Sequence, residues 1–261
     1  MQPTKIDWTD EVWNPLIGCE NNCDYCYARV WANRLAGHKE YSNSVRSAYK
    51  KFQPAFFKNR LNEPLNKITS KMIFSVDMGD MFSDTAVKEG YTKEILKVMH
   101  RANNHIFQIL TKNPKNMTKF NYPDNVWLGV TIDLLEDNDR MIRIPPEIAL
   151  QNLVRTNAGV KFVSFEPLLG PKPKHLSLNG LDWIIIGART GSKKVQPNPR
   201  WVKEILQYIL ANKELADSLR LIEDRGGYTI TQPLEKFNIE AQRLIDTLGS
   251  QQWITNYLHK S

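Results

Sequence analysis

Two rhythms of apolar residues organise most of the chain. From residue 71 onward, short apolar runs alternate with stretches in which apolar side chains recur every three or four positions. The run 71–77 has strand character, and 85–103 follows with apolar residues at 87, 91, 95 and 98, one face of a helix. His105–Leu110, Asn125–Thr131, Val160–Phe165 and Leu181–Gly187 are further strand-like runs, and Ser218–Glu223 is the last clear one. Between them lie a short helix around 114–120, a helical region running to about 156, and a helix opened by Asn198 and Pro199. Pro145 and Pro146 forbid one straight helix in the middle region, because proline lacks the amide donor and clashes with the preceding turn. Trp201, Val202, Ile205, Leu206 and Ile209 form the apolar face of the helix after Asn198. Ahead of this rhythm, 11–17 reads as a first strand and Tyr27–Leu35 as a helix stopped by Gly37. At the other end, Ile239, Leu244, Ile245 and Leu248 mark a helical tail at about 232–261.

Strands alternating with amphipathic helices predict βα units and a parallel sheet. Six or seven such units predict an α/β fold, a partial or complete (β/α) barrel of the TIM type, as one domain over 1–261. Right-handed crossovers bring the C-terminal ends of all strands to one face, where barrels carry their active sites. The residues just past each strand are therefore the candidates. They are Asp77, Gly79 and Asp80, then Thr111 and Lys112, then Thr131 and Asp133, then Ser164, Glu166 and Pro167, then Gly187 and Arg189. Thr131 and Asp133 suit ribose hydroxyls. Glu166 is either a functional acceptor or half of an ion pair, with Arg189 on the neighbouring strand as partner. Arg189 equally suits a carboxylate clamp.

Composition narrows the reading. The 261 residues, 41% of them hydrophobic, suffice for a full core. No run of eighteen apolar residues is present, and the N-terminus has no apolar signal core. A cytoplasmic protein without membrane contact is expected. The net charge of +7 favours anionic partners such as nucleic acid. Residues 38–70 break the βα rhythm and interleave basic with aromatic side chains, among them Arg46, Tyr49, Lys50, Lys51, Phe52, Phe56, Phe57, Lys58 and Arg60. That mixture suits nucleic-acid backbones and stacked bases. The plainer alternative is a solvated connector whose aromatics dock on the domain. Trp8 and Trp13 read as core packing, or as a shield for the stretch that follows.

That stretch, 18–28, holds all three cysteines of the chain, Cys19, Cys23 and Cys26, in a C-x3-C-x2-C spacing. Three thiolates on one tight loop can grip three corners of an iron–sulfur cube and leave the fourth iron to a small molecule. A zinc site completed by His38 is a second reading, although zinc sites usually pair C-x2-C with a second ligand pair. Three ordinary buried thiols are a third. Clustering in a chain with no other cysteine fits a reducing compartment.

The spacing, with Tyr25 just before the last cysteine, resembles the signature of the radical S-adenosylmethionine superfamily. That resemblance implies a [4Fe-4S] cluster whose open iron chelates S-adenosylmethionine, which is cleaved reductively to a 5′-deoxyadenosyl radical. It also implies a reductant such as flavodoxin or ferredoxin. At the position of the superfamily's Gly-Gly-Glu segment stands 77–83, where Asp77 or Asp80 would accept from the cofactor ammonium and Gly79 would allow close approach. Thr131 and Asp133 would help hold the cofactor, with Ser164, Glu166 and Arg189 beside them.

A closer resemblance runs through 6–10, Trp13-Asn14-Pro15, Gly18-Cys19, 110–114, 126–130, 164–170 and 182–187. Together these are similar to the three-Cys-motif family of phages and prophages, which implies a possible separate partner protein. Relatives tend to carry Gly-Gly-Glu-Ser-Gly where this chain has 187–191, and a Phe-Phe-Lys-Gln-like strand where it has 221–225. Both departures lie on the presumed substrate side. The substrate expected is a nucleic acid or a nucleotide. The alternative function is a nucleic-acid-binding module with a structural iron–sulfur or zinc site.

Overall fold

The computed structural model describes residues 1–6, 8–134, 144–189 and 194–212, and the backbone of 221–223 and 228–230. In chain order the elements are β1 (Gln2–Pro3), β2 (Glu11–Trp13), β3 (Leu16–Ile17), α1 (Tyr27–Leu35), α2 (Asn43–Lys51), β4 (Ala55–Phe56) and α3 (Lys58–Leu61). A 3-10 turn at Glu63–Asn66 precedes β5 (Met72–Ser75), α4 (Asp84–Lys88), α5 (Tyr91–Arg101), β6 (Ile106–Thr111), α6 (Pro114–Met117) and β7 (Val126–Thr131). Then come α7 (Pro146–Val154), β8 (Val160–Phe165), β9 (Trp183–Ile186), α8 (Pro199–Ala211), β10 (Leu221–Glu223) and β11 (Tyr228–Ile230).

Seven strands form the main sheet, in the order β1-β2-β5-β6-β7-β8-β9. Every pairing is parallel except β1 with β2. The α/β class and the parallel order match the expectation from the apolar rhythm. Side chains alternate across the strands. One face, with Ile73, Phe107, Ile109, Leu128, Val130 and Val163, packs on Ile95, Met99, Leu153, Ile205 and Ile209 of the helices.

The opposite face gathers aromatic rings. Trp8 lies 4.8 Å from Phe74 on β5 and 5.6 Å from Trp183 on β9. Trp183 also meets Trp127 and Phe162, at 5.9 and 4.8 Å. Strands β5 and β9 stand four positions apart in the sheet. A flat sheet would hold them about 19 Å apart, so one indole reaches both only because the sheet curls. Gly129 makes room inside: a Cβ there would come 2.7 Å from the Phe162 ring.

Several boundaries differ from the expectation, each for a physical reason. The first strand is broken at Asn14-Pro15, and β3 turns away to pair antiparallel with β4. The helix expected over 85–103 is two helices, α4 and α5, separated at Gly90, which has φ +77°. Leu221–Glu223 does not extend the main sheet but pairs antiparallel with Tyr228–Ile230. The helical tail expected at about 232–261 lies outside the described residues. No helix among the described residues is long and apolar enough to cross a membrane.

The segment 38–70 is structured rather than a solvated connector. Tyr49 and Phe52 are buried and share a small apolar cluster with Ile17, Ala28, Ala32, Cys19 and Cys26. Phe56 stacks on Tyr91 at 4.7 Å. These aromatics pack the insertion against the cysteine loop, so they are not free to stack bases. Trp13 is fully buried in the main core, with its indole N–H donating to the Arg60 carbonyl at 2.9 Å.

Candidate functional site

Parallel strands deliver their following residues to one edge of the sheet, and the cysteine loop lies along that edge. It enters from β3 and leaves into α1, whose N-cap is Cys26. Gly18 brings it in with φ +89°, packed so closely on the insertion that a Cβ would stand 2.2 Å from the Gln53 carbonyl. The Cys19 amide donates to the Phe52 carbonyl at 3.1 Å. On the other side the Gly18 amide donates to the Met78 carbonyl, and the Asp80 amide donates back to the Gly18 carbonyl. Gly79 is needed for that approach, since a Cβ there would meet the Gly18 carbonyl at 2.7 Å. Its freedom serves the loop, where the expectation placed it against the cofactor.

Cys19, Cys23 and Cys26 are free thiols and half-buried. Amides point at two of them: Asn21 N–H at Cys19 Sγ and Arg29 N–H at Cys26 Sγ, both 3.4 Å. Burial pushes the Cys19 thiol up to about 12, aided by the Asp80 charge and opposed by the Asn21 amide. Burial also raises Cys23, while Lys112 and Tyr25 pull it back. Such thiols give up their protons when a cation takes their place. Three soft donors with aligned amides therefore fit a thiolate-bound iron group. Among the described residues no group of three or more His, Cys, Asp or Glu side chains is gathered so as to hold a metal ion. His38 follows the far end of α1, about 13 Å from its start at 1.5 Å per residue. It cannot complete an ion site with Cys26.

Asp80 is only 3% exposed, and its carboxylate ties the edge together. Oδ1 accepts from the Phe82 amide at 2.9 Å and the Thr111 hydroxyl at 2.7 Å. Oδ2 accepts from Asn21 Nδ2 at 3.0 Å, the Lys112 amide at 3.0 Å and Asn113 Nδ2 at 2.8 Å. Five donors occupy the roughly four lone-pair positions of a carboxylate. Asp80 therefore positions the cysteine loop and the end of β6, and has no lone pair to offer an ammonium.

Two walls face each other beyond the strands. On one, Lys112 Nζ donates to the Tyr25 hydroxyl at 3.0 Å, and that hydroxyl donates to Asp133. Lys112 lies 3.9 Å from Asp133, and the Arg189 guanidinium lies 5.9 Å from the centre of the Tyr25 ring. On the other wall, Tyr27 donates to the Asp77 carbonyl at 2.9 Å, and Asp77 Oδ1 accepts from Asn14 at 2.5 Å. Burial raises Asp77 to about 6. Glu166 is raised by burial and eased by the neighbouring Ser164 hydroxyl, although no hydrogen bond of good geometry joins them. Glu166 and Tyr27 are reached by solvent yet closely surrounded, as residues lining a cleft are. The charges of Asp77, Glu166 and Cys26 all bear on Tyr27.

Gly187 accommodates Glu166, since a Cβ there would come 2.8 Å from its side chain. Glu166 and Arg189 form no ion pair among the described residues, so the pairing weighed from the sequence is replaced by Arg189 over Tyr25. Thr131 and Ser164 are paired in register at the ends of β7 and β8. Ser164 is 1% exposed. Asn14, Asn21 and Asn113 escaped the sequence reading. Their only signal was an amide side chain beside a strand end or a cysteine.

No curated protein and no solved structure matches the chain. One family pattern does, over residues 3–214, a span that takes in the cysteine loop and both walls of the cleft. The chain belongs to the family described as a protein of unknown function, DUF5131.

Proposed function

We propose that the chain is a radical S-adenosylmethionine enzyme in which Cys19, Cys23 and Cys26 hold one [4Fe-4S] cluster. One observation carries the reading: all three cysteines lie on one half-buried loop at the C-terminal edge of a curled parallel sheet. In this reading the sheet is a barrel of the TIM type, partial or complete, and its mouth is the active site. When bound, the cluster supplies one electron to S-adenosylmethionine and so a 5′-deoxyadenosyl radical.

The chain's own residues bind, orient and exclude water. Asp77, Glu166 and Tyr27 offer acceptors and negative charge for an ammonium. Lys112 and Arg189 offer positive charge for a carboxylate or phosphate. Thr131 and Asp133 offer partners for ribose hydroxyls, and Ser164 a buried hydroxyl. The substrate class we attach is a nucleic acid or nucleotide, on the basic charge and the two cations at the mouth. Its binding should then weaken steeply with salt.

The test is anaerobic reconstitution with iron and sulfide, followed by dithionite and S-adenosylmethionine. About four irons per chain are expected, with 5′-deoxyadenosine by chromatography, and neither from Cys23→Ala. A loaded chain that leaves S-adenosylmethionine intact and its cluster spectrum unchanged would favour a structural site in a nucleic-acid-binding module.

A further inference from the structure

The positive charge of this protein is concentrated in one segment. Between Tyr27 and Arg60 the chain carries eight Lys and Arg residues and a single carboxylate, Glu40. That surplus equals the +7 of the whole chain, so the remainder balances to neutrality. The segment comprises α1, α2, β4 and most of α3, the elements that enclose the cysteine loop from outside.

The outer side of α1 is apolar. Ala28 and Ala32 bury its inner side, whereas Tyr27, Val30 and Trp31 are 42%, 52% and 51% exposed. Their i, i+3, i+4 spacing makes one strip. Arg34, a turn further on, holds its guanidinium 5.2 Å from the centre of the Trp31 ring. Exposed apolar residues normally occur singly; a contiguous strip marks a contact surface.

The composition of the surface selects the partner. Trp and Arg at the centre of an apolar patch are the usual anchors of a protein interface. Arg34, Lys39, Lys50, Lys51 and Lys58 are exposed around this segment and favour an acidic face. A single-stranded nucleic acid would need several free rings for its bases. Here Tyr49 and Phe52 are buried, Phe56 is stacked on Tyr91, and Val30 offers a base nothing. The strip begins at the residue after Cys26, so a partner docked there meets the cysteine loop from outside and leaves the mouth free.

We infer that this face of α1 docks an acidic one-electron carrier protein that reduces the group held by the three thiolates. The carrier loses one electron and the thiolate-held group gains one, with no bond made or broken between the proteins. The inference rests on the proposed enzyme reading and deepens it.

The experiment uses the full chain, reduced flavodoxin as the acidic carrier and dithionite as a reductant that needs no docking. Val30→Glu and Arg34→Glu, both on the exposed side, should each weaken flavodoxin binding about tenfold, measured by titration of metal-free and loaded chain alike. Salt should weaken wild-type binding in the same direction. Flavodoxin-driven 5′-deoxyadenosine formation should fall by a similar factor, while the dithionite-driven rate holds. Hydroxyl-radical footprinting should oxidise Trp31 in the free chain and spare it with flavodoxin. Trp31 protected in the free chain would overturn the inference, since the strip would be covered by the chain's own residues. Loss of binding to a single-stranded RNA probe, with flavodoxin binding intact, would overturn it in favour of nucleic acid. A loaded chain that cleaves S-adenosylmethionine with dithionite but ignores both substitutions sinks the docking face alone. A chain that loads no cluster sinks the enzyme reading and this step together.

Discussion

Two aspartates three positions apart do opposite things. Asp80 accepts five hydrogen bonds and joins the cysteine loop to the ends of β5 and β6. Asp80→Ala would strand buried donors on three segments, and a loss of about 3 kcal/mol or more is expected in urea unfolding. Asp77 has fewer partners, and its folded-state value of about 6 lies above the ordinary 3.8. The folded chain therefore holds that proton more tightly than the unfolded chain. The associated stability is complete below pH 3.8 and is lost as pH rises through about 6. Asp77→Asn keeps an acceptor for Asn14 and removes that loss. Its stability relative to wild type should grow between pH 4 and pH 7 by about 2 kcal/mol, read from urea midpoints of the metal-free chain. A difference that stays flat across that range would contradict the burial of the carboxylate. The sequence placed both residues at a strand end; which of them was saturated depended on amides contributed from 21, 112 and 113.

At the scale of elements, the insertion explains its own composition. Its rings face the cysteine loop, and its backbone supplies the Phe52 carbonyl that receives the Cys19 amide. Gly18 and Gly90 separate two roles of glycine. Both have positive φ, but a Cβ at Gly18 strikes the Gln53 carbonyl whereas one at Gly90 meets open space. Gly90→Ala should cost about 1 kcal/mol, the conformational penalty alone. Gly18→Ala should cost at least about 3 kcal/mol, because main chain must move. It should also speed the reaction of Cys19 with a thiol reagent, as the loop parts from α2. Thermal unfolding and thiol kinetics check both. Equal costs at the two glycines would mean that the insertion does not brace the loop.

Across the whole molecule, Trp8 is the ring on which the sheet curls. It joins β5 to β9 and receives the Gln108 amide on its carbonyl at 2.8 Å. Trp8→Ala should cost about 3–5 kcal/mol, whereas Ile68→Ala, at a side chain 95% exposed, should change almost nothing. Denaturant titration of both variants decides it, and a small loss at Trp8 would leave the curl without its support. The alternation of apolar runs and helical stripes determined the α/β class, the parallel sheet and the edge at which chemistry is placed, because periodicity reports burial along each element. The three cysteines were equally plain, being the only ones in the chain. What the tertiary structure alone decided was how those ends meet: Asp80 on the loop rather than open to a ligand, Arg189 over Tyr25 rather than on Glu166, and the rings of 38–70 turned inward. Those outcomes depend on contacts between residues far apart in the chain, and no local pattern carries information about them.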